Sequence, residues 1–280
     1  MKVAYLGPEK TFTEKVTRCL FPAEELFPMQ PIRKVVLSVE DGKMDRGVVP
    51  LENFYRGAVI QTLDSLVKCD STRIIQEKSL KVVHCLGVLK GHCPIIKIYS
   101  KDQALDQCDD FIANSFPDAM TIATTSTAEA ADYIARERLM DSAVIASKDA
   151  LVKSGLEVMA EDICPNNSTR FVVLGREYAQ PTRDDKTIIA IHPLARDEPG
   201  VLADCLNIFK ALHINLEAMH SRPDGKKGYY FYIELNGHEK DRGVETALQA
   251  IKSSLDSENK YQGVVRILGS YANSHWKDEN

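Results

Sequence analysis

The chain has 280 residues, of which 44% are hydrophobic and 27% are charged, proportions typical of a globular protein. Its length predicts two or three compact units. The net charge is -5 at pH 7, with acids and bases interspersed, so the sequence lacks the basic footprint of a nucleic-acid-binding protein. No apolar run approaches the roughly 18 residues of a membrane-spanning helix. We therefore expect neither a nucleic-acid partner nor a membrane partner.

The cysteines and the first residues predict a cytoplasmic location. The seven cysteines are odd in number, scattered and without a Cys-x-x-Cys pair, which favours reduced thiols over a disulfide framework. The opening stretch MKVAYLGPEKTFTE turns polar after about five residues, so it lacks the apolar region of a signal peptide. We interpret it as a first β-strand.

Short β-rich runs alternate with helical patterns through the first two-thirds of the chain. The stretch VIQTLDSLVKC, for example, repeats its apolar residues at helical spacing. This alternation predicts βαβ units and mostly parallel sheets covered by helices. The predicted strands are residues 2–7, 47–51, 80–89, 95–100, 120–125 and 142–147, and the predicted helices are 11–21, 59–69, 102–116 and 126–139.

After a polar linker at residues 176–187, the pattern changes to the order β-α-β-β-α-β. This order is that of a ferredoxin-like module of about ninety residues. The open edges of such a sheet often pair across a dimer. The predicted strands are residues 187–195, 215–223, 229–237 and 264–271, and the predicted helices lie within 196–214 and 244–255.

Polar clusters follow several predicted strands, where ligands gather in sheets of this kind. From composition alone, Glu52 serves equally well as a helix-start residue or as a ligand contact. For STRF at 168–171, which follows a Pro-Asn-Asn-Ser turn, two hypotheses are likewise open: a turn cap with a solvated arginine, or a ligand-binding segment. The clusters are Gly7–Thr11, Glu52–Gly57, Ser100–Gln103 and Thr124–Thr127.

Metal and nucleotide cofactors have no support in the sequence. His84 and Cys85 are neighbours on a predicted strand and point to opposite faces, so they do not easily share a metal ion. Neither a glycine-rich phosphate-binding motif nor a nucleophile elbow occurs. We expect no metal and no organic cofactor.

Five segments resemble the prephenate dehydratase family in order and spacing: YLGPEKTF, GVVPLENFYRGAV, YSKDQALDQC, STAEAA and NNSTRFVVLG. A sixth, GVLADCLNIFKALHINLEAMHSRP, resembles the ACT regulatory domain that the family carries at its C-terminus. The resemblance covers residues 1–272. Because no chorismate mutase helical domain precedes these segments, the chain resembles the monofunctional form.

The resemblance implies an α/β fold with two domains. The catalytic domain, residues 1–180, is expected to have two lobes like a type II periplasmic binding protein, with the substrate cleft between them. The first lobe is expected at about 1–76 with 160–180, and the second at 77–159. A ferredoxin-like (βαββαβ) ACT domain is expected at 186–272.

The implied reaction converts prephenate to phenylpyruvate with loss of water and carbon dioxide, in L-phenylalanine biosynthesis and under feedback by L-phenylalanine. A threonine hydroxyl is too weak an acid for efficient general acid catalysis near neutral pH. The resemblance therefore suggests that Thr169 hydrogen-bonds the leaving oxygen, within a relay that includes Glu52. The alternatives are an arogenate dehydratase, a prephenate decarboxylase, and an inactive phenylalanine-binding regulator.

Position by position, the resemblance also implies the site residues and the partners. The implied catalytic residues are Thr169, Glu52 and Asn53. The implied substrate-binding residues are Thr11, Ser100, Gln107, Ser126, Thr127, Arg170 and Phe171. The implied phenylalanine site comprises Gly200, Val201, Leu202, Asn215, Leu216, Ser221 and Arg222. The implied partners are prephenate, L-phenylalanine and further copies of the chain in a homodimer or homotetramer.

The sequence departs from the family pattern near the expected site. Lys10 replaces a usual glycine, Phe54 a serine, Arg56 a common acid, and Lys101 a frequent histidine. The three added positive charges favour a dianionic substrate by Coulomb attraction. In the ACT segment, His220 replaces a usual glutamate. These departures bear on the choice between prephenate and arogenate and on phenylalanine control.

Overall fold

The computed structural model describes residues 1–9, 11–165, 167–194, 199–226, 228–256 and 262–274. The chain divides into two compact units, residues 1–80 with 169–280 and residues 81–168. The boundary differs from the lobes implied by the resemblance, because residues 77–80 lie in the first unit and 160–168 in the second. The described C-terminal residues also belong to the first unit.

Helices and strands alternate along most of the chain. In the first unit the elements are β1 (Lys2–Leu6), α1 (Phe12–Leu20), β2 (Glu25–Met29), α2 (Ile32–Glu40), β3 (Arg46–Asn53), β4 (Gly57–Ala58), α3 (Ile60–Leu66) and β5 (Arg73–Lys81). In the second they are β6 (Cys85–Val88), β7 (Lys97–Lys101), α4 (Asp102–Gln107), α5 (Asp109–Ser115), β8 (Met120–Thr124), α6 (Thr127–Glu137), β9 (Ser142–Ala146), α7 (Lys148–Lys153) and β10 (Glu157–Ala160). The chain then returns to the first unit with β11 (Ser168–Gly175), β12 (Asp185–Pro193), α8 (Val201–Ala211), β13 (Leu216–Pro223), β14 (Tyr229–Asn236), α9 (Arg242–Ser254) and β15 (Gly263–Ala272).

The first unit is built on one continuous sheet with the strand order β13-β14-β12-β15-β5-β11-β3-β1-β2. Its first-lobe part has β1 parallel to β2 and β3, and β11 antiparallel to β3. We call this part, β1–β5 with α1–α3 and β11, the first lobe. The valines of α2, Val35, Val36 and Val39, are fully buried and recur at helical spacing, so they fix the face that the helix turns to its neighbours.

The C-terminal module, β12–β15 with α8 and α9, has the strand order of a ferredoxin-like fold. One face of its sheet, with Ile189 and Ile233, packs against the two helices. The other face, with Ile188 and Tyr232, shares a core with Leu63 of the first lobe. The module joins the first-lobe sheet where Gly269 of β15 pairs with Ile74 of β5. Its strand β13 lies at the edge of the sheet.

The second unit has its own sheet, ordered β10-β6-β9-β7-β8. Two predictions there are corrected. The strand predicted at 80–89 is two strands, because the backbone N–H of Val82 donates to Asn167 and the carbonyl of His84 accepts from Ile163 instead of from a sheet neighbour. The helix predicted at 102–116 is likewise two helices, which meet at Cys108.

Among the described residues, none of the helices has the length and apolar character needed to cross a membrane. Those residues also contain no group of three or more His, Cys, Asp or Glu side chains placed to hold a metal ion.

Glu40, the last residue of α2, fixes the start of β5. Its carboxylate accepts the backbone N–H groups of Asp70, Ser71 and Thr72 at 2.7–3.3 Å. Burial alone would raise the pKa of Glu40, but the hydrogen bonds from Thr72, Asp70 and Ser71 lower it from 4.5 to about 2. The folded pKa therefore lies below the unfolded one. The stability that Glu40 contributes is present above pH 4.5 and is lost as the pH falls towards 2.

We expect Glu40→Gln to lower the free energy of unfolding at neutral pH by about 1 kcal/mol, since the carboxylate is partly exposed to solvent. The difference from the wild type should disappear as the pH approaches 2. Urea denaturation of both proteins across this pH range measures it. Asp41→Asn, which changes the exposed neighbouring carboxylate, is the matched control. A difference that persists at low pH would contradict this account.

Candidate functional site

Asn53 and Thr169 form a side-chain pair on adjacent strands of the first lobe. They face each other across β3 and β11, and Asn53 Nδ2 donates a hydrogen bond of 3.0 Å to Thr169 Oγ1. Asn53 is 9% exposed and Thr169 is half-buried. The structure thus brings together two of the three residues implied as catalytic.

The loop after β3 sets the orientation of the Asn53 amide. Its Oδ1 accepts the backbone N–H groups of Tyr55 and Arg56 at 3.3 and 3.2 Å, a local turn typical of asparagine. With Oδ1 held by two donors, Nδ2 is the atom that faces Thr169. The Thr169 oxygen accepts this bond and keeps its own hydrogen for donation. The pair therefore leaves the hydroxyl hydrogen of Thr169 available for a bond to a ligand.

Arg170 lies on the opposite face of β11 from Thr169, because successive strand residues alternate between faces. Its guanidinium is surrounded by three glutamates. Nη1 donates to Glu52 at 2.8 Å and to Glu234 at 3.1 Å. Nη2 donates to Glu77 at 2.8 Å and to Glu234 at 2.6 Å. We call these four residues the Arg170 cluster.

The contacts of the Arg170 cluster bear on two expected roles, which stay predictions. Arg170 was expected to bind a substrate carboxylate, but its guanidinium already bonds three carboxylates of the protein itself. Glu52 was expected to act in a relay with Thr169. It pairs with Arg170 across the strands and so projects from the face opposite the Thr169–Asn53 pair. Both charged side chains belong to the back of the site.

The charges of the Arg170 cluster raise the pKa values of Arg170 and Tyr271. Burial disfavours the charged guanidinium, but the hydrogen bond and the charge of Glu234, together with the charge of Glu77, raise the pKa of Arg170 above its ordinary value. Burial and the charges of Glu234 and Glu77 also raise the pKa of Tyr271 well above its usual range. The neutral Tyr271 hydroxyl donates to Glu234 Oε1 at 3.3 Å. Arg170 therefore stays charged and Tyr271 stays protonated at any physiological pH.

Two further residues implied as substrate-binding, Phe171 and Ser100, are buried inside their own unit. Phe171 is 3% exposed and packs with Val48 in the first-lobe core. In the second unit, Ser100 is fully buried and its hydroxyl donates to the carbonyl of Ile145 at 2.6 Å. These contacts are those of packing and structural hydrogen bonds, and the substrate-binding roles expected of Phe171 and Ser100 stay predictions.

Gln107, in the second unit, is 8% exposed and belongs to a buried polar cluster. Its Oε1 lies 3.0 Å from His84 Nε2 and accepts from Asn167 Nδ2 at 3.1 Å. Burial lowers the pKa of His84, although its hydrogen bond to Gln107 opposes the shift. The neutral ring therefore donates through Nε2. Gln107 holds these protein groups together here, and its expected contact with the substrate stays a prediction.

Thr11, Ser126 and Thr127 lie at helix N-termini. Thr11 caps α1 by accepting the N–H of Glu14 at 3.3 Å. Ser126 caps α6 by accepting the N–H of Glu129 at 3.1 Å, and Thr127 is the first residue of that helix. A helix N-terminus carries free N–H groups and a partial positive charge, both of which favour a carboxylate. These positions suit the expected substrate chemistry.

Comparison with known proteins is consistent across the chain. Residues 3–179 match the family model "Prephenate dehydratase", and residues 191–253 match the model "ACT domain". The chain belongs to the prephenate dehydratase family. It is an enzyme of that family with a C-terminal ACT domain, formed by the C-terminal module.

Individual relatives extend over nearly the whole chain. The bifunctional chorismate mutase/prephenate dehydratase of Aquifex aeolicus is 34% identical over 277 residues, covering 97% of this chain and 73% of the relative. The prephenate dehydratase of Lactococcus lactis subsp. lactis is 30% identical over 279 residues, covering 97% and 98%. The crystal structure of prephenate dehydratase from Arthrobacter aurescens in complex with L-Phe superposes with a TM-score of 0.77 at 30% identity, covering 98% and 90%.

The residues implied for phenylalanine binding lie in α8 and β13 of the ACT domain. Gly200 caps α8 with a φ of 98°, a left-handed conformation that favours glycine. At the far end of β13, Arg222 Nε donates to Asp64 Oδ2 of α3 at 3.2 Å. The others are Val201 and Leu202 in α8, Asn215 just before β13, and Leu216 and Ser221 within it.

The departures near the expected site fall in exposed positions where the structure describes them, whereas His220 of the ACT domain is half-buried. Phe54 is 60% exposed and meets Tyr55 edge to face, with ring centroids 5.2 Å apart. Arg56 and Lys101 are also exposed. Lys10 lies outside the described residues.

Glu77 and Glu234 are important residues that the sequence patterns did not single out. Glu77 lies between Gln76 and Lys78, where the pattern gives no signal, whereas Glu234 lies between Ile233 and Leu235 in an apolar strand. A carboxylate inside an apolar strand requires a charged or hydrogen-bonding partner. By that rule the sequence predicts a partner for Glu234, and in the structure this partner is Arg170.

Proposed function

We propose that the chain converts prephenate to phenylpyruvate, releasing water and carbon dioxide. The observation that supports this most directly is the Asn53–Thr169 hydrogen bond at 3.0 Å, in which Thr169 accepts and so keeps its own hydrogen for donation. Both residues lie in segments that carry the family resemblance and within the residues matched by the family model.

The reaction requires little acid–base catalysis by the protein. The ring carboxylate leaves as carbon dioxide, and the electron pair of the broken carbon–carbon bond enters the ring. The C4 hydroxyl departs as water after gaining one proton. Formation of an aromatic ring drives both cleavages. A positioned hydroxyl donor at the leaving oxygen stabilises the charge that develops there, and we assign this role to Thr169, with Asn53 orienting it.

Substrate binding requires groups for two carboxylates. We assign one to the N-terminus of α1 at Thr11, because free helix N–H groups bind carboxylates without a buried cation. For Ser126 and Thr127, at the N-terminus of α6, the proposed role in substrate binding rests on the family resemblance. This assignment replaces Arg170, whose donors are engaged within the protein. It requires neither a metal nor an organic cofactor.

We further propose phenylalanine as a feedback effector bound by the ACT domain, and a homodimer or homotetramer as the assembled enzyme. The edge strand β13 supports association, because its backbone N–H and C=O groups are open to pairing with another strand. Met219, 48% exposed, projects from it.

A cytoplasmic location fits the seven cysteines, all described and all free thiols.

Incubation of the purified chain with prephenate, followed by detection of phenylpyruvate, tests the proposal. Arogenate in a parallel assay, and phenylalanine added to each, complete the design. Phenylpyruvate formation that phenylalanine reduces would support it. Turnover of arogenate alone would assign the chain to arogenate dehydration, and a non-aromatic product would indicate decarboxylation without dehydration. Phenylalanine binding without turnover of either substrate would identify a regulator.

A further inference from the structure

We propose that the Arg170 cluster transmits phenylalanine control from the ACT domain to the Asn53–Thr169 pair, with Arg170 as a positioning residue. This inference rests on the proposed function, since it requires an enzyme inhibited by phenylalanine. It assigns a role to Arg170, Glu52, Glu77 and Glu234 that differs from substrate binding and from simple packing.

The first observation is that the cluster lies directly behind the catalytic pair. Thr169 pairs with Asn53, and the next residues, Arg170 and Glu52, pair with each other in the same two strands. Any displacement of the Arg170 or Glu52 side chain therefore acts on the backbone next to Thr169 or Asn53. A change of about 1 Å in the placement of a reacting group is enough to alter a rate by a large factor.

The second observation is that the ACT domain supplies one member of the cluster. Glu234 belongs to β14, on the sheet face turned towards the first lobe, and it accepts two bonds from Arg170, at 3.1 and 2.6 Å. The Glu234 side chain is 6% exposed and that of Glu77 is 2% exposed. In such surroundings a charge cannot leave its partner without a large desolvation cost. When β14 moves, the Arg170–Glu234 contact is therefore kept, and β11 moves with it.

The third observation links Glu234 to the strand that carries the proposed phenylalanine ligands. Glu234 pairs with Ala218 of β13, the strand that also contains Leu216, Ser221 and Arg222. Ala218 and His220 line a cavity of about 20 Å³ together with Glu52, Arg170 and Glu234. A cavity of this size has room for about one water molecule. The side chains around it are thus able to rearrange slightly when β13 shifts.

Two other polar contacts between the ACT domain and the first lobe lack this geometry. Asp64 bonds Arg222 and Tyr232 from α3, and Arg73, at the start of β5, lies 3.6 Å from Glu239. Neither contact involves β3 or β11. They tie the ACT domain to the lobe without touching the strands of the catalytic pair.

Glu234→Gln tests the inference, because it keeps the side-chain volume and removes the charge that the ACT domain contributes. Prephenate turnover is measured across phenylalanine concentrations, and phenylalanine binding without substrate is measured by calorimetry. We expect the phenylalanine concentration for half-inhibition to rise at least about tenfold while the dissociation constant changes less than about threefold, since only the coupling between the sites is lost. A purely structural role would lower kcat or the melting temperature and leave inhibition unchanged.

Glu239→Gln is the matched control, since it makes the same change in another ACT residue paired with a first-lobe arginine. Its half-inhibition should stay within about twofold of the wild type. Glu52→Gln is a second variant, for use if Glu234→Gln fails to fold. Its side chain is 35% exposed, and the substitution should also weaken inhibition by phenylalanine. Wild-type enzyme that forms phenylpyruvate but is not inhibited by phenylalanine would overturn this inference and the proposed effector role, and it would leave the proposed reaction standing. Inhibited wild type with equally inhibited Glu234→Gln or Glu52→Gln would overturn this inference alone.

Discussion

Replacing Thr169 by alanine is expected to reduce kcat/KM for prephenate by about 10²–10⁴-fold, the range lost with one positioned donor or acid in an active site. The variant loses the hydroxyl that Asn53 orients and keeps the backbone pairing of β11. The free energy of unfolding should fall by no more than about 1 kcal/mol, because one partly buried hydrogen bond is removed. Steady-state kinetics and urea denaturation measure the two effects.

Two further variants sharpen this test. Thr169→Ser keeps the hydroxyl and should retain much of the activity. Ser168→Ala removes the adjacent half-buried hydroxyl and should leave kcat/KM within about threefold of the wild type. If Thr169→Ala retains more than about a tenth of the wild-type kcat/KM, Thr169 does not hold the leaving oxygen.

Replacing Arg170 by methionine should cause the largest loss of stability. Glu77 and Glu234 would remain buried without their cation, and breaking a buried pair from one side costs about 3–5 kcal/mol. This is a large part of the roughly 5–15 kcal/mol by which folded proteins are stable. Urea denaturation followed by circular dichroism measures the loss. Arg176→Met, an exposed arginine just after the same strand, should change stability by less than about 0.5 kcal/mol.

The charge origin of that loss is also testable. Adding Glu77→Gln and Glu234→Gln to Arg170→Met removes the uncompensated charges and should recover part of the lost stability. Arg170→Lys should fall between the wild type and the methionine variant, because an ammonium group cannot reproduce the planar array of donors. No recovery in the neutral variant would show that packing, and not charge, dominates at Arg170.

Much of the fold follows from the sequence pattern. The strand at residues 2–7, the helix at 59–69 and the β-α-β-β-α-β order of the ACT domain are visible in apolar periodicity and turn residues. The elements β2, α2 and β5 are not. Pro28 interrupts β2, and β5 mixes charged residues into its apolar run because one of them, Glu77, is needed as an ion partner.

The candidate site could be predicted only in part. The family segments identify Asn53 and Thr169, which the structure joins by a hydrogen bond. These segments do not show which way a side chain points. They therefore predict Glu52 and Arg170 in the same site as Asn53 and Thr169, although Glu52 and Arg170 project from the other face of the sheet. Alternation along a strand would have separated Arg170 from Thr169. The partner Glu234 lies 64 residues along the chain, and only the folded sheet brings it to Arg170.

The ACT domain's share in the Arg170 cluster limits how freely this domain can be exchanged. An ACT domain grafted from another protein would need a glutamate at the position of Glu234, or it would leave Arg170 facing fewer carboxylates. It would also need glycine at 269, since a Cβ there would collide with the backbone oxygen of Ile74. The regulatory domain and the catalytic lobe have therefore become mutually adapted, and a functional chimera must carry over both positions.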